Sequence, residues 1–477
     1  VKQTMELKKY QSEPSSREDL EKIPLLKLSD LGKEAYQIKN EESKVEGIPV
    51  VSHDIFTNGI AYVSYDFMLN HVSLELLPYV SLLTALYKEV DTQNYSYSAL
   101  ANEIDLKTGG IGLSLSAIGV PEKMGGYKVS LSVKTKVLYE NIDDALSLME
   151  EILFASDITN RKRMKEVLAE LTSQMKMNIQ DSGHTSMANR ALSYFSKGAY
   201  LKEVLEGITF YEFASDLYKH FDERYEETCN KLKAALHAFA KPENLVISYT
   251  GKENIDSRLS RSLVSMKKYM NEDKEDVVEQ QFNLEIGNEG FLTASKVQYV
   301  ATAGNFLKQG YEYTGALNVL QVIFSYDYLW INVRVKGGAY GCMCNFNRMG
   351  DAYFTSYRDP NLGKTYEIYK DAPDYVKNFD VSERDMLKYI IGAISKLDAP
   401  LNPSADGAYS YLLYLSGVTQ EQLQREREEI LGTNVETIRG LAPYIEAIVS
   451  KPLIAALGDE EVIEKEKTLF TVVKPLI

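Results

Sequence analysis

Two glycine pairs, Gly109–Gly110 and Gly337–Gly338, stand 228 positions apart in this chain of 477 residues, and each opens a stretch that alternates like a β-strand. After the first pair, Ile111, Leu113, Leu115 and Ala117 alternate with small residues, and Tyr127, Val129, Leu131 and Val133 alternate with Lys and Ser. A period of two on both runs predicts a hairpin with one buried face. After the second pair, Ala339 to Asn347 and Ala352 to Tyr357 repeat the arrangement. The flanking elements also recur in order. A strand at Ile60 to Leu69 and helical spacing over Val72–Val90 precede the first hairpin; a strand at Val297 to Gly304 and a helical stretch from Tyr313 to Asn332 precede the second. An internal duplication of this kind constrains the fold more than any composition figure, because each copy must bury its own apolar face.

Helices follow each hairpin. Ile142, Ala145, Leu146, Met149, Ile152 and Leu153 trace one apolar stripe, and Met164, Val167, Leu168, Leu171 and Met175 another, as a period of 3.6 requires. Helix-start signals stand at Ser15-x-x-Glu18, Thr209-x-x-Glu212, Ser382-x-x-Asp385, Thr419-x-x-Gln422 and Thr433-x-x-Glu436, where a hydroxyl can cap free backbone N–H groups. Strands and helices do not alternate one for one, which argues against a doubly wound parallel sheet. The expected class is α+β: two homologous domains, each a mainly antiparallel sheet with helices packed on one face. The boundaries are read as a lead-in connector over residues 1–45, a first repeat over 46–251, a linker over 252–286 and a second repeat over 287–477. The linker carries the charged run Asn271 to Asp276 and has room for one helix.

Charge and residue counts narrow the function. Fifty-three basic against 68 acidic side chains leave a net charge of −15, which disfavours a nucleic-acid binder. No apolar run reaches the roughly 18–20 residues of a membrane helix, so a soluble protein of the cytoplasm or another soluble compartment is expected. The three cysteines, Cys229, Cys342 and Cys344, are too few for a disulfide scaffold. Five histidines, His53, His71, His184, His220 and His237, are never three to five residues apart, so no local motif presents two imidazoles to one metal. No Gly-x-Ser-x-Gly elbow occurs. Gly337-Gly-Ala-Tyr-Gly341 lacks the Lys-Ser/Thr of a phosphate loop and leads into a strand, so a tight turn is its expected role. The chain starts at Val1, consistent with a piece of a longer polypeptide.

One segment carries chemistry: Arg334-Val-Lys-Gly-Gly-Ala-Tyr340-Gly, followed by Ser356-Tyr-Arg-Asp-Pro-Asn361. An Arg brings five donors and a permanent charge, and a Tyr hydroxyl can donate to a carbonyl oxygen as it gains negative charge. Gly337 and Gly338 permit close backbone approach. In the first repeat the matching positions hold Leu106 and Gly112, so this pair belongs to one copy only. On composition alone a surface ion pair and a half-buried ring would explain the same residues.

These two stretches, the duplicated unit and the lead-in Ser16-Arg-Glu-Asp-Leu-Glu-Lys-Ile-Pro-Leu-Leu-Lys-Leu-Ser-Asp30 resemble, over essentially the whole chain, the C-terminal half of insulinase/pitrilysin-type zinc metallopeptidases of the presequence-protease branch. The resemblance implies four homologous α+β domains in two halves, joined by a helical hairpin and closing around an unstructured peptide. It places zinc in the N-terminal half, on an inverted His-x-x-Glu-His motif. That motif is absent here: the corresponding helix begins near His71-Val-Ser-Leu74-Glu75, where Glu and His would be needed at 74 and 75, and the second repeat's helix from Tyr313 has no His. By the same resemblance Arg334 and Tyr340 contact substrate across the chamber, with no catalytic residue and no metal in this chain. The implied partners are the N-terminal catalytic half and peptide substrates, and the chain alone is expected to be inactive. The rival reading is a stand-alone inactive partner or assembly subunit that docks to a separate catalytic chain.

Overall fold

A computed structural model describes every residue except Val1, Pro14, Ser15, Arg17, Leu20, Glu21, Leu25, residues 122–124 and 272–279, Glu285, Ile286, Pro452 and Ile477. Ser15, which opened a helix-start signal, and the charged run from Glu272 to Asp276 lie outside the described residues.

The first six strands are β1 (Glu41–Val45), β2 (Ile48–His53), β3 (Ile60–Met68), β4 (Ile111–Val120), β5 (Gly126–Leu138) and β6 (Leu245–Thr250). They form one sheet in the order β1-β2-β6-β3-β5-β4. The next six are β7 (Glu289–Thr293), β8 (Tyr299–Asn305), β9 (Gly341–Phe346), β10 (Asp351–Tyr357), β11 (Leu453–Asp459) and β12 (Val472–Pro475). Their order is β12-β7-β11-β8-β10-β9, so β2-β6-β3-β5-β4 and β7-β11-β8-β10-β9 correspond strand for strand. The duplication read from two glycine pairs is therefore a duplication of topology. Only the far edges differ. β1 pairs antiparallel with β2 through a two-residue turn in which Glu46 and Gly47 both have positive φ, the geometry that matches strand twist. β12 instead pairs parallel with β7. Both sheets are mainly antiparallel, with parallel pairs at β2–β6 and β7–β11, in keeping with the α+β class.

Alternation fixes which side of each strand is buried. Val63, Tyr65 and Phe67 of β3 and Val129, Leu131 and Val133 of β5 pack with Leu82, Leu86, Leu146 and Met149 from the helices Leu77–Leu86 and Ile142–Ala155. In the second sheet Val300, Ala352 and Phe354 meet Leu320, Ile323 and Phe324 of the helix Ala316–Tyr326. The helix Asp256–Met266, within the stretch read as linker, adds Leu259, Leu263 and Met266 to the first of these cores.

Each sheet also receives a helix from the other half on its opposite face. Gly183–Ser193 lies across β8, β10 and β11, and Pro403–Ser416 lies across β2, β4, β5 and β6. This exchange makes one body of the two repeats. Arg190 anchors it: its Nε and Nη2 donate to Glu289 of β7 at 2.5 and 3.0 Å, and its Nη1 donates to Glu203 at 3.3 Å and Thr209 at 2.9 Å. Asn189 also donates to Glu203, and Tyr194 to Glu289. Residues 32–40 add a strap. Ala35 N and Ile38 N donate to Gln424 and Gln420, and Lys39 N to Ser410.

The capping expectations divide. Ser382 and Thr419 cap their helices, Thr419 with a reciprocal bond from Gln422. Thr433 does not; Asn434, one residue on, accepts from Thr437 N. Thr209 does not cap either, because its hydroxyl is taken by Arg190 and the helix starts after Gly207.

Candidate functional site

The Arg334–Tyr340 segment is a locked turn that delivers the chain into β9, the edge strand. Backbone from Trp330 to Val335 winds as a π-helix, a geometry that concentrates at functional positions. Val333 O then accepts from Ala339 N at 3.1 Å and Arg334 O from Gly338 N at 2.9 Å. Gly338 has a φ of 85°, and a side chain at Gly337 would press into the Val333 carbonyl oxygen; both glycines are required for the turn. Asn361 Nδ2 closes it by donating to Gly337 O at 2.7 Å.

Arg334 and Tyr340 sit at the two ends of this turn. The guanidinium of Arg334 stacks over the Trp330 ring, 3.8 Å from its centroid, which fixes a side chain that otherwise carries large rotamer entropy. Tyr340 is held by its backbone, N–H to Tyr357 O at 3.0 Å, and its ring meets Tyr357 edge-on at 6.1 Å. The residue is 70% exposed. No hydrogen bond links the two side chains among the described residues; Arg334 is half-buried against Trp330 and Tyr340 is exposed. The turn after β10 is equally fixed. Arg358 adopts a φ of 48°, Asp359 exchanges backbone hydrogen bonds with Gln298, and its buried carboxylate accepts from Thr365 and from Asn361 N. Burial raises the Asp359 pKa against the effect of those donors.

Neither nearby cysteine is built as a nucleophile. Burial pushes the Cys342 thiol up to about 11 and Cys344 higher still, so both stay protonated. Sequence reasoning missed three contributors. Trp330 is the sole tryptophan and lies four residues before Arg334, a spacing that stacks side chains on a helical turn and could have revealed it. Tyr299 and His184 pack on Tyr357 at 5.7 and 4.9 Å. His184 arrives on the helix exchanged from the first half, which no local pattern announces.

Comparison with known proteins then decides the lineage. Residues 1–217 match the family profile for the associated region of M16 peptidases of subfamily C, and residues 288–457 match the PreP C-terminal domain. The chain belongs to this subfamily of the M16 peptidases, on the presequence-protease branch. It corresponds to the C-terminal half of such a peptidase. The protein HypA of Clostridium perfringens is 39% identical over 99% of this chain and 48% of its own length. Presequence protease 1 of Arabidopsis thaliana, chloroplastic/mitochondrial, is 31% identical over 99% of this chain and 44% of its own. The chain thus spans about half the length of these relatives. Its fold matches a solved structure described as a peptidase M16 inactive domain from Pseudomonas fluorescens, with a TM-score of 0.60 at 14% identity, covering 88% of this chain and 98% of that one.

Zinc is the metal an M16 peptidase implies, and the donors of this half do not fit it. Among the described residues no group of three or more His, Cys, Asp or Glu could hold a metal ion. His53 is spent on Tyr249 O, Thr250 and Asn40, and His220 on Asp216, while His184 packs on Tyr357. No described helix is long and apolar enough to cross a membrane.

Proposed function

We propose that this chain is the non-catalytic half of a zinc-dependent endopeptidase that degrades short, unstructured peptides, and that the Arg334–Tyr340 turn is its substrate contact. The chain closes the peptide chamber, its partner being the catalytic half that supplies the metal. The observation that carries the reading is an exposed tyrosine and a stacked arginine at the ends of a turn held by glycines, Asn361 and a π-helix. Exposed donors on a rigid turn cost little entropy when they engage a ligand. Arg334 would hold peptide carbonyls with its planar fork of N–H groups, and the Tyr340 hydroxyl would donate to the scissile carbonyl oxygen as charge develops there.

In the full-length protein Arg334→Ala and Tyr340→Phe are expected to lower peptide kcat/KM by about 10²-fold, with unchanged melting temperature since neither side chain is buried in a core. Wild-type turnover in both variants would overturn the assignment. The 477-residue chain by itself is expected to cleave no peptide, which a fluorogenic peptide assay checks directly.

A further inference from the structure

The face of the first sheet that receives the Pro403–Ser416 helix is not filled. Between them lies a cavity of about 650 Å³. Its floor carries a row of polar groups among apolar ones: Ser64 and Asp66 on β3, Ser130 and Ser132 on β5, Ser248 and Thr250 on β6, beside Ile111 and Ile118 of β4. The helix approaches most closely at Gly407, where any side chain would collide with Thr250. From there the cavity stays open under Ser404, Ala408 and Tyr411.

Charge is distributed along this cleft in a definite order. Asp66, 2% exposed, accepts from Ser64 at 2.8 Å and from Ser132. Lys134 and Lys136 line the other end, paired across the sheet with Ser64 and Tyr62. Both lysines are exposed; neither makes a salt bridge among the described residues, and Lys134 is near enough for its charge to act on Asp66. In a chain of net charge −15, two adjacent exposed lysines facing a cleft are a field for an anion. From the level of Lys136 to that of Asp66 is four residues of strand, about 13 Å, which is the span of three to four residues of extended peptide. Tyr411 on the wall supplies a separate observation. It is over nine-tenths buried, and its hydroxyl faces Asp66, with which it interacts, while no partner stands at full hydrogen-bond geometry among the described residues. A phenol held this loosely beside a carboxyl is free to turn its donor to a ligand carbonyl oxygen.

We propose that this cleft binds a short extended peptide of three or four residues, its free C-terminal carboxylate between Lys134 and Lys136 and its chain running along the serines toward Ser132 and Ser130. The serine and threonine hydroxyls, each donor and acceptor, match main-chain N–H and C=O groups without selecting side chains. The proposal rests on the peptide-degrading reading above for its choice of occupant, because short peptides with free carboxylates are what an endopeptidase releases.

The test uses the 477-residue chain, tetra-alanine and its C-terminal amide, by titration calorimetry at low and at physiological salt. Tetra-alanine is expected to bind about tenfold more tightly than the amide, and the preference is expected to shrink with salt. Lys134→Ala with Lys136→Ala, both on exposed positions, is expected to abolish the difference between acid and amide. Ala408→Trp, which fills the cleft from the helix side, is expected to abolish binding of both. No binding, equal binding of acid and amide, or a preference that survives removal of the lysines would each overturn the proposal. Failure of the turn assignment shows instead as wild-type peptide turnover in the Arg334 and Tyr340 variants, which this binding experiment does not read.

Discussion

The two sheets carry the same strand order and the same edge strand led by a glycine pair, but the faces that receive the exchanged helices are opposites. On the second sheet that face is Phe291, Tyr299, Ala301, Ala303, Ala455 and Leu457, closed by Met187, Ala188 and Ala191 of the Gly183–Ser193 helix. Small alanines under a helix with its own small residues let backbone approach backbone, and the space is filled. On the first sheet the face carries serines, threonines and Asp66, with a small apolar contact of Val51, Tyr411 and Leu415 flanked by Met68, Ile118, Val246 and Tyr414. One copy uses the exchanged helix to hold the halves together, the other to roof a cleft. The charges follow the division. The buried Arg190–Glu203–Glu289 network ties the filled interface, while on the open face Lys134 and Lys136 make no salt bridge among the described residues.

The largest expected effects come from forcing the filled face to resemble the open one. Ala301→Asp buries a carboxylate that has no donors among alanines and should cost at least about 3 kcal/mol. Arg190→Ala should cost about 3–5 kcal/mol, because Glu203, 1% exposed, and Glu289 are left without their counter-ion. Urea unfolding measures both; a loss under about 1 kcal/mol in either would mean the interface is not the tight one described. An intermediate effect separates the rigid turn of the second copy from its counterpart in the first, which holds Leu106 and Gly112. Trp330→Leu removes the stacking surface under Arg334, worth about 0.5–2 kcal/mol. It should lower kcat/KM of the full-length protein several-fold, with the Arg334→Ala, Trp330→Leu double variant no worse than Arg334→Ala alone. Additive losses would show that Trp330 acts independently of Arg334.

Small effects are expected where the open face is made more like the filled one. Ser248→Val has the cavity to expand into and should change stability by less than about 1 kcal/mol. Asp66 gives the comparison a pH signature. Burial raises its folded pKa above the usual carboxylate value of 3.8, so the folded state favours the protonated form. The advantage of wild type over Asp66→Asn should then be greatest below pH 3.8 and decline as pH rises through the folded pKa. An advantage that grows with pH would show an ionised, well-solvated Asp66.

Periodicity made much of this fold legible, since alternation and helical stripes report burial within one element. The hairpins at Ile111 and Gly341, the stripe through Met149 and the caps at Ser382 and Thr419 stand where those signals put them. Where another part of the chain intervened, local reading failed. Thr209 lost its capping role to Arg190, and the cap expected at Thr433 moved to Asn434. β7 and β12 pair parallel with partners far away in sequence, so their short runs carry no hairpin signal. In β3 the alternate residues Ser64 and Asp66 have the polarity of a solvent face, yet both are buried.

The sequence by itself determined the duplication, the α+β class, the glycine turn between Arg334 and Tyr340, and the want of a local metal motif. Each of these is written in spacing or residue type within a few tens of positions of its own copy. Only the tertiary structure decided that each repeat lends a helix to the other, that Trp330 and Asn361 hold the turn, and that one exchanged helix closes a core while the other covers a cleft. The exchange depends on contacts between residues far apart in the chain, such as Thr355 with the His184 backbone or Tyr411 with Asp66. No local period encodes contacts at that range, because they exist only once both sheets have formed.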